Sequence, residues 1–244
     1  MRDNQPKHRQ LAKERSKDER KAVQRQERGT ALITFEGQCT EPQYFKGLLR
    51  ELRISSSVEI FEGNGKSDAL SVVERARARF DLDPRDRVFA VIDAEQENLA
   101  EALESCKEPV QQANRRKGLP EIRIEPIVTA PCFEFWLLLH FDYTDRAFTC
   151  FSDLAPAIES KIPGYHKSDP LIFRKAGGVE GVLHALEYVQ RLKRRLSESG
   201  ASIPNSDIPL LIQALCDLSP VKAGEMTTQD VLRSSALPTA RSRS

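Results

Sequence analysis

The sequence has no apolar run that approaches the roughly 20 residues needed to cross a bilayer. Its N-terminal stretch carries charged side chains where a secretory signal peptide needs an apolar segment. We therefore expect a protein without a membrane span, located in the cytoplasm.

The sequence also lacks the cysteine patterns of disulfide-rich and zinc-binding proteins. Its five cysteines are odd in number, and no two of them have the C-x-x-C spacing. Neither a disulfide framework nor a zinc site is predicted, and reduced thiols agree with a cytosolic location.

Net charge is almost absent, because 37 Lys and Arg residues stand against 36 Asp and Glu residues, which leaves a formal charge of +1. The overall charge therefore predicts no partner. The local charge is more informative, since residues 1–28 hold ten basic and five acidic side chains and almost no apolar ones. Two interpretations stay open: a disordered charged arm, or an arm that becomes ordered on binding nucleic acid or a partner protein.

Four apolar segments predict a parallel sheet. The runs at 31–35 and 88–92 are bounded by charge, as buried parallel strands are, and weaker segments lie at 58–61 and 122–128. Pro126 places the last of them at a sheet edge. Helical patterns between these segments give the order β-α-β-α-β-α-β, which requires right-handed crossovers. We predict an α/β domain over residues 29–145, with a mostly parallel sheet and helices on both faces.

The first predicted helix has a recognisable start. Thr40 and Gln43 match the two polar positions of a capping box, and Pro42 falls in the first turn. This register puts Glu41 at the positive end of the helix dipole, facing the point where Glu36 ends its strand.

The most hydrophobic stretch, 129–141, is predicted as a buried helix with Pro131 in its first turn. It contains one acid, Glu134, and an ionised carboxylate in apolar surroundings is costly unless it is paired or bound to a metal. Glu134 is therefore a candidate site residue, with a structural salt bridge or a capping role as alternatives. His140 is expected to be a core histidine with satisfied hydrogen bonds.

From about residue 146 the pattern changes to helices without clear strands. We predict a helical extension over 146–224 that packs on the sheet domain, with its last helix at 208–217, and a disordered tail over 225–244. The basic cluster at 191–195 is either a solvated helix end or a phosphate contact.

Acidic residues follow two of the predicted strands: Glu36 follows the first, and Asp93 and Glu95 follow the third. Because parallel strands end at one edge of a sheet, these acids are expected to meet there. Carboxylates suit Mg²⁺ or Mn²⁺, and such an ion would polarise a bound phosphate and activate water. Glu36 could instead serve as a general base or acid, and acids also follow strands for solubility alone.

Two turns carry candidate phosphate-binding lysines. The triplet 65–67 matches the last three residues of the P-loop motif. The motif also requires a glycine at position 60, where this chain has isoleucine, so we reject a P-loop. Lys66 remains either a phosphate or carboxylate partner or a solvated lysine. The turn at 163–168 holds Tyr165 and Lys167, which could reach a phosphate.

Motifs at 35–45, 131–141, 165–167 and 203–206 together resemble the RloB-like family, bacterial proteins encoded near restriction and phage-defence loci. The resemblance covers about residues 30–218. The strand ending in Glu36 and the strand ending in Asp93-x-Glu95 also resemble the Toprim domain of topoisomerases, primases and old-type nucleases.

This resemblance implies a Toprim-like, Mg²⁺-dependent nuclease that cuts DNA or RNA, tRNA included, as an effector of anti-phage defence with an ATPase partner. A homo-oligomer is left open. By position, the catalytic and metal-binding residues would be Glu36, Asp93 and Glu95. Glu41, Glu134, Tyr165 and Lys167 lie within the family motifs, the first three as supporting residues, and Lys66 and Lys167 are the phosphate-binding candidates taken from their turns.

One position departs from the Toprim pattern, which has Asp-x-Asp where this chain has Asp93-Ala94-Glu95. This difference bears on metal affinity and activity. Two other functions stay open beside the nuclease, because all three use acids at strand ends. One is a non-catalytic sensor or binding subunit that works with an ATPase, and the other is a phosphatase or nucleotidyl enzyme acting on small molecules.

Overall fold

The computed structural model describes residues 29–63, 68–96, 98–110, 121–200 and 204–218. The predicted arm at 1–28, Lys66 and the predicted tail at 225–244 lie outside these residues. Within the described ranges, no helix has the length and apolar character needed to span a membrane.

A five-stranded sheet forms the centre of the fold, in the order β2-β1-β3-β4-β5. Its strands are β1 (Ala31–Phe35), β2 (Val58–Phe61), β3 (Arg87–Asp93), β4 (Ile124–Ala130) and β5 (Asn205–Ser206). The first four strands are parallel, and β5 is antiparallel to β4. The predicted α/β fold with a mostly parallel sheet is confirmed.

Eight helices lie in the described part of the chain. They are α1 (Thr40–Glu51), α2 (Ala69–Leu82), α3 (Leu99–Cys106), α4 (Phe133–Leu138), α5 (Phe151–Lys161), α6 (Ile172–Lys175), α7 (Gly178–Ser199) and α8 (Ile208–Asp217). The bounds of α8 are those predicted from the sequence.

The helices cover the sheet with two apolar cores. Because neighbouring strand residues point to opposite faces, Ile33 packs into one core and Leu32 into the other. The larger core joins α1 and α4 to the C-terminal helices α5 to α8, and the smaller core holds α2 and α3. The C-terminal helices therefore share a core with the sheet.

The start of α1 differs from the predicted capping box, which is wrong. The helix begins at Thr40, and the preceding residue, Cys39, makes no side-chain capping bond. The Thr40 hydroxyl instead donates to the carbonyl oxygen of Lys167 at 3.0 Å. The Thr40 hydroxyl, which the capping-box pattern assigned to the start of the helix, is therefore bonded to a residue far along the chain.

The predicted helix over 129–141 is also shorter than expected. Thr129 and Ala130 belong to β4, because they pair with Ser206 and Asn205 of β5, and α4 begins only at Phe133. The expectation of no strand after residue 146 is corrected by the same pairing. The prediction that β4 is an edge strand is also wrong, because β5 lies outside it in the sheet. Pro126 is tolerated because β5 pairs with β4 only at Thr129 and Ala130, so no ladder hydrogen bond is required of Pro126 on that side.

His140 is a buried histidine whose ring nitrogens both have partners, as expected. Its Nδ1 lies 2.8 Å from the carbonyl oxygen of Ala176, and its Nε2 lies 3.1 Å from the hydroxyl of Tyr44. That hydroxyl also accepts a hydrogen bond from Trp136 Nε1 at 2.9 Å. A neutral ring with its proton on Nδ1 satisfies every group, and burial lowers the pKa of His140 to about 4.

We predict that Tyr44→Phe lowers the free energy of unfolding by about 2–4 kcal/mol, because the buried Trp136 N–H loses its acceptor and His140 loses its donor. Urea denaturation at pH 7.5 measures the change. Tyr143→Phe is the matched control, since the Tyr143 hydroxyl is buried without a hydrogen-bond partner in the described ranges. It removes no hydrogen bond and should not lower the free energy of unfolding. Equal losses in the two variants would contradict the role of the Tyr44 hydroxyl.

Candidate active site

Glu36 follows β1 directly and is half-buried. The side-chain amide of Gln96 donates to its Oε1 at 2.6 Å. A side chain at Gly63 would overlap the carbonyl oxygen of Glu36, so glycine is needed there for β2 to end beside it. Burial, together with the negative charges of Glu41 and Glu95, raises the pKa of Glu36 to about 7.

Glu41 lies in the first turn of α1 and is only 9% exposed. A Cβ atom at Gly37 would stand 2.8 Å from Oε2 of Glu41, so the glycine leaves room for this carboxylate. Burial raises the pKa of Glu41 to about 7, and the charge of Glu134 adds to the effect. The positive end of the α1 dipole favours an acid at this position.

Asp93 is the last residue of β3, and its Oδ1 accepts a hydrogen bond from the Thr129 hydroxyl at 2.7 Å. Burial raises its pKa well above the ordinary value, and the charges of Glu41, Glu134 and Glu36 act in the same direction. The carboxyl edge of the sheet therefore brings together four acids within electrostatic reach of one another.

Glu134 is 3% exposed in the first turn of α4. Its Oε1 accepts a hydrogen bond from the Tyr165 hydroxyl at 2.8 Å and lies 3.6 Å from Nζ of Lys167. The salt bridge that the sequence left as an alternative is thus present, within the same group of acids. Burial and the charge of Glu134 raise the pKa of Tyr165.

Lys167 is the amine that faces these acids, although its side chain is 56% exposed. Its Nζ stands 4.2 Å from the centroid of the Phe151 ring. Burial alone would lower the pKa of Lys167, but attraction to Glu134 and Glu41 outweighs it and the pKa is raised. Lys167 therefore carries a positive charge at neutral pH.

Glu95 has a different setting from the other predicted acids. It is exposed, and its Oε2 accepts a hydrogen bond from the backbone N–H of Phe151 at 3.2 Å. Its charge still contributes to the raised pKa of Glu36. The structure thus places Glu95 near Glu36 and in contact with the start of α5.

Two side chains at the site were not anticipated from the sequence. Gln96 donates a hydrogen bond to Glu36. The sequence feature that could have indicated this role is its position in the polar run that follows β3. Arg75 of α2 donates to the carbonyl oxygen of Phe35 at 2.7 Å and interacts with the charge of Glu36. Nothing in the helical pattern around Arg75 marked it, because its partner lies 40 residues away.

The basic cluster at 191–195 is engaged in contacts with neighbouring segments. Lys193 pairs with Asp207 at 3.1 Å, and Arg195 pairs with Asp145. The guanidinium of Arg191 lies 3.9 Å from the centroid of the Tyr143 ring. These contacts fasten α7 to the segments around it.

The donor chemistry of the site suits a hard divalent cation. Carboxylate oxygens are the ligands that Mg²⁺ prefers, and a cation would relieve the repulsion that raises these pKa values. Over the described residues, however, no three His, Cys, Asp or Glu side chains stand together closely enough to hold a metal ion. The donors present are of the right kind, and their side chains are not gathered around one point.

Comparison with known proteins gives one match. A model of the RloB-like protein family matches residues 31–215, a range that runs from β1 into α8 and includes each acid described above. No curated protein and no solved structure matches the chain.

We predict that the charge of Glu41 costs stability at high pH. Its pKa is about 7 in the folded protein and 4.5 as an ordinary glutamate, so the folded state holds more protons between these values. Stability from this group is therefore lost as the pH rises from 4.5 through 7. Glu41→Gln should be more stable than wild type by about 2–3 kcal/mol at pH 8.5 and nearly equal to it at pH 4.5.

Chemical denaturation in EDTA at the two pH values measures this difference. Glu51→Gln is the matched control, because Glu51 is exposed at the other end of the same helix. It should leave stability within about 0.5 kcal/mol of wild type at both pH values. A Glu41→Gln effect that does not depend on pH would rule out the assigned cause.

Proposed function

We propose that this chain, which belongs to the RloB-like family, is a metal-dependent nuclease that hydrolyses phosphodiester bonds of DNA or RNA in anti-phage defence. The observation that carries the proposal is a group of acids and one lysine at the carboxyl edge of a parallel sheet. The acids are Glu36, Glu41, Asp93 and Glu134, and Lys167 faces them. Open α/β sheets bind ligands at this edge.

Glu36 and Asp93 are the acids that we assign to Mg²⁺ or Mn²⁺, each at the end of a neighbouring strand. Such an ion, if held by these residues, would polarise a phosphoryl oxygen and lower the pKa of an attacking water. Gln96 orients the Glu36 carboxylate through Oε1, and the Thr129 hydroxyl orients Asp93 through Oδ1.

Lys167 is the residue that we assign to the substrate phosphate. It is charged and more than half exposed, so an anion can approach its Nζ from solvent. Glu134 holds this amine at 3.6 Å, and the Tyr165 hydroxyl in turn holds Glu134. Glu36 serves either as a ligand or as the general base that takes a proton from water.

We predict that Asp93→Asn and Glu36→Gln each lower cleavage by at least about 100-fold, because each removes a charge from the reacting centre. The assay is Mg²⁺- or Mn²⁺-dependent cleavage of a panel containing single- and double-stranded DNA, RNA and tRNA. Glu101→Gln is the control, since Glu101 is an exposed glutamate on α3. Metal-dependent cleavage that is the same in all four proteins would reject the site.

The alternative of a non-catalytic subunit acting with an ATPase has one observation in its favour. Glu95, the second acid of the expected metal motif, is bonded to the backbone of α5. On this alternative no member of the panel is cleaved, and Asp93→Asn leaves both binding of the ATPase and protection against phage intact.

A further inference from the structure

The two residues Glu95 and Gln96 make contacts with different parts of the fold. Glu95 Oε2 accepts the N–H of Phe151 at 3.2 Å, whereas Gln96 Nε2 donates to Glu36 Oε1 at 2.6 Å. The backbone of Glu95 is held to the residue that follows β4, because its N–H donates to the carbonyl oxygen of Pro131 at 3.2 Å. The neutral amide, and not the second acid, is therefore the side chain that contacts Glu36.

Helix α5 lacks a side-chain cap of its own. Its N-cap residue, Cys150, makes no side-chain capping bond, and the nearby Asp153 accepts from the N–H of Thr149, which precedes the helix. The first N–H groups of a helix need acceptors from outside it, and an acid at this end also interacts favourably with the helix dipole. Glu95, which lies 56 residues earlier in the chain, provides both the acceptor and the negative charge at the start of α5.

The start of α5 leads directly to the lysine of the proposed site. The ring of Phe151, whose N–H Glu95 accepts, lies 4.2 Å from Nζ of Lys167. Lys167 in turn lies 3.6 Å from Oε1 of Glu134. A displacement of Phe151 would therefore move the aromatic ring that contacts the Lys167 amine.

We propose that Glu95 is a positioning residue and not a metal ligand: it fastens the start of α5, and with it the support of Lys167, to the end of β3. The fastening itself is independent of the proposed function. Only the exclusion of Glu95 from the metal site rests on the nuclease assignment.

Hydrogen exchange of the wild-type protein and of Glu95 variants in EDTA tests the fastening. Glu95→Ala removes the acceptor and should speed exchange in peptides covering 150–161 by about three- to tenfold. Glu95→Gln keeps an oxygen acceptor and should stay within about twofold of wild type. Glu101→Ala, at an exposed glutamate of α3, is the control and should leave these peptides unchanged. Unchanged exchange in Glu95→Ala overturns the proposal.

The response of the melting temperature to Mn²⁺ separates positioning from ligation. Glu95→Gln should keep most of the wild-type increase, and Asp93→Asn should lose it, because an amide replaces a hydrogen-bond acceptor but not a charged ligand. Equal losses in the two variants overturn the proposal. If Mn²⁺ does not shift the wild-type melting temperature, the proposed metal site is wrong, and the exchange experiment alone decides the role of Glu95.

Discussion

Repulsion among the acids at the carboxyl edge of the sheet is the constraint to which the surrounding structure is adapted. Glu36, Glu41 and Asp93 all have raised pKa values, because burial and the charges of neighbouring acids disfavour the ionised forms. Space for them depends on residues without side chains, since a Cβ at Gly37 would press on the Glu41 carboxylate and one at Gly63 would overlap the turn at Glu36. Gly37 is therefore constrained by the Glu41 carboxylate, and Gly63 by the backbone at the end of β1.

Helices α1 and α4 each carry an acid of the site in their first turn. Residues further along each helix are buried in the larger core and anchor the helix there. In α1, Glu41 is followed one turn later by Tyr44, which is fully buried and bonded to His140. In α4, Glu134 is followed by Trp136, which donates to the same Tyr44 hydroxyl. The hydrogen-bonded core thus holds both helix starts in place.

Features that depend on local pattern could be predicted, and those that depend on distant partners could not. The apolar runs of β1 and β3 and the bounds of α8 follow from periodicity, and the parallel order of the strands follows from the helices between them. The meeting of Glu36 and Asp93 at one edge is a consequence of that order. By contrast, the hydroxyl of Thr40 bonds to a carbonyl 127 residues away, and the two residues of β5 are a strand only because β4 lies beside them. Neither contact produces a short-range pattern in the sequence.

The loop that carries Lys167 combines a fixed backbone with an exposed amine. The carboxylate of Glu159 accepts the N–H groups of Gly164 at 2.8 Å and Tyr165 at 3.2 Å, and Thr40 holds the carbonyl oxygen of Lys167. The Lys167 amine lies 3.6 Å from Glu134, which is longer than a direct hydrogen bond. An incoming anion could therefore draw the amine away while Glu134 keeps its bond from Tyr165. On the proposed function, a phosphate and the buried Glu134 carboxylate therefore compete for the Lys167 amine, and Glu134 retains only the neutral hydrogen bond from Tyr165 when the amine moves.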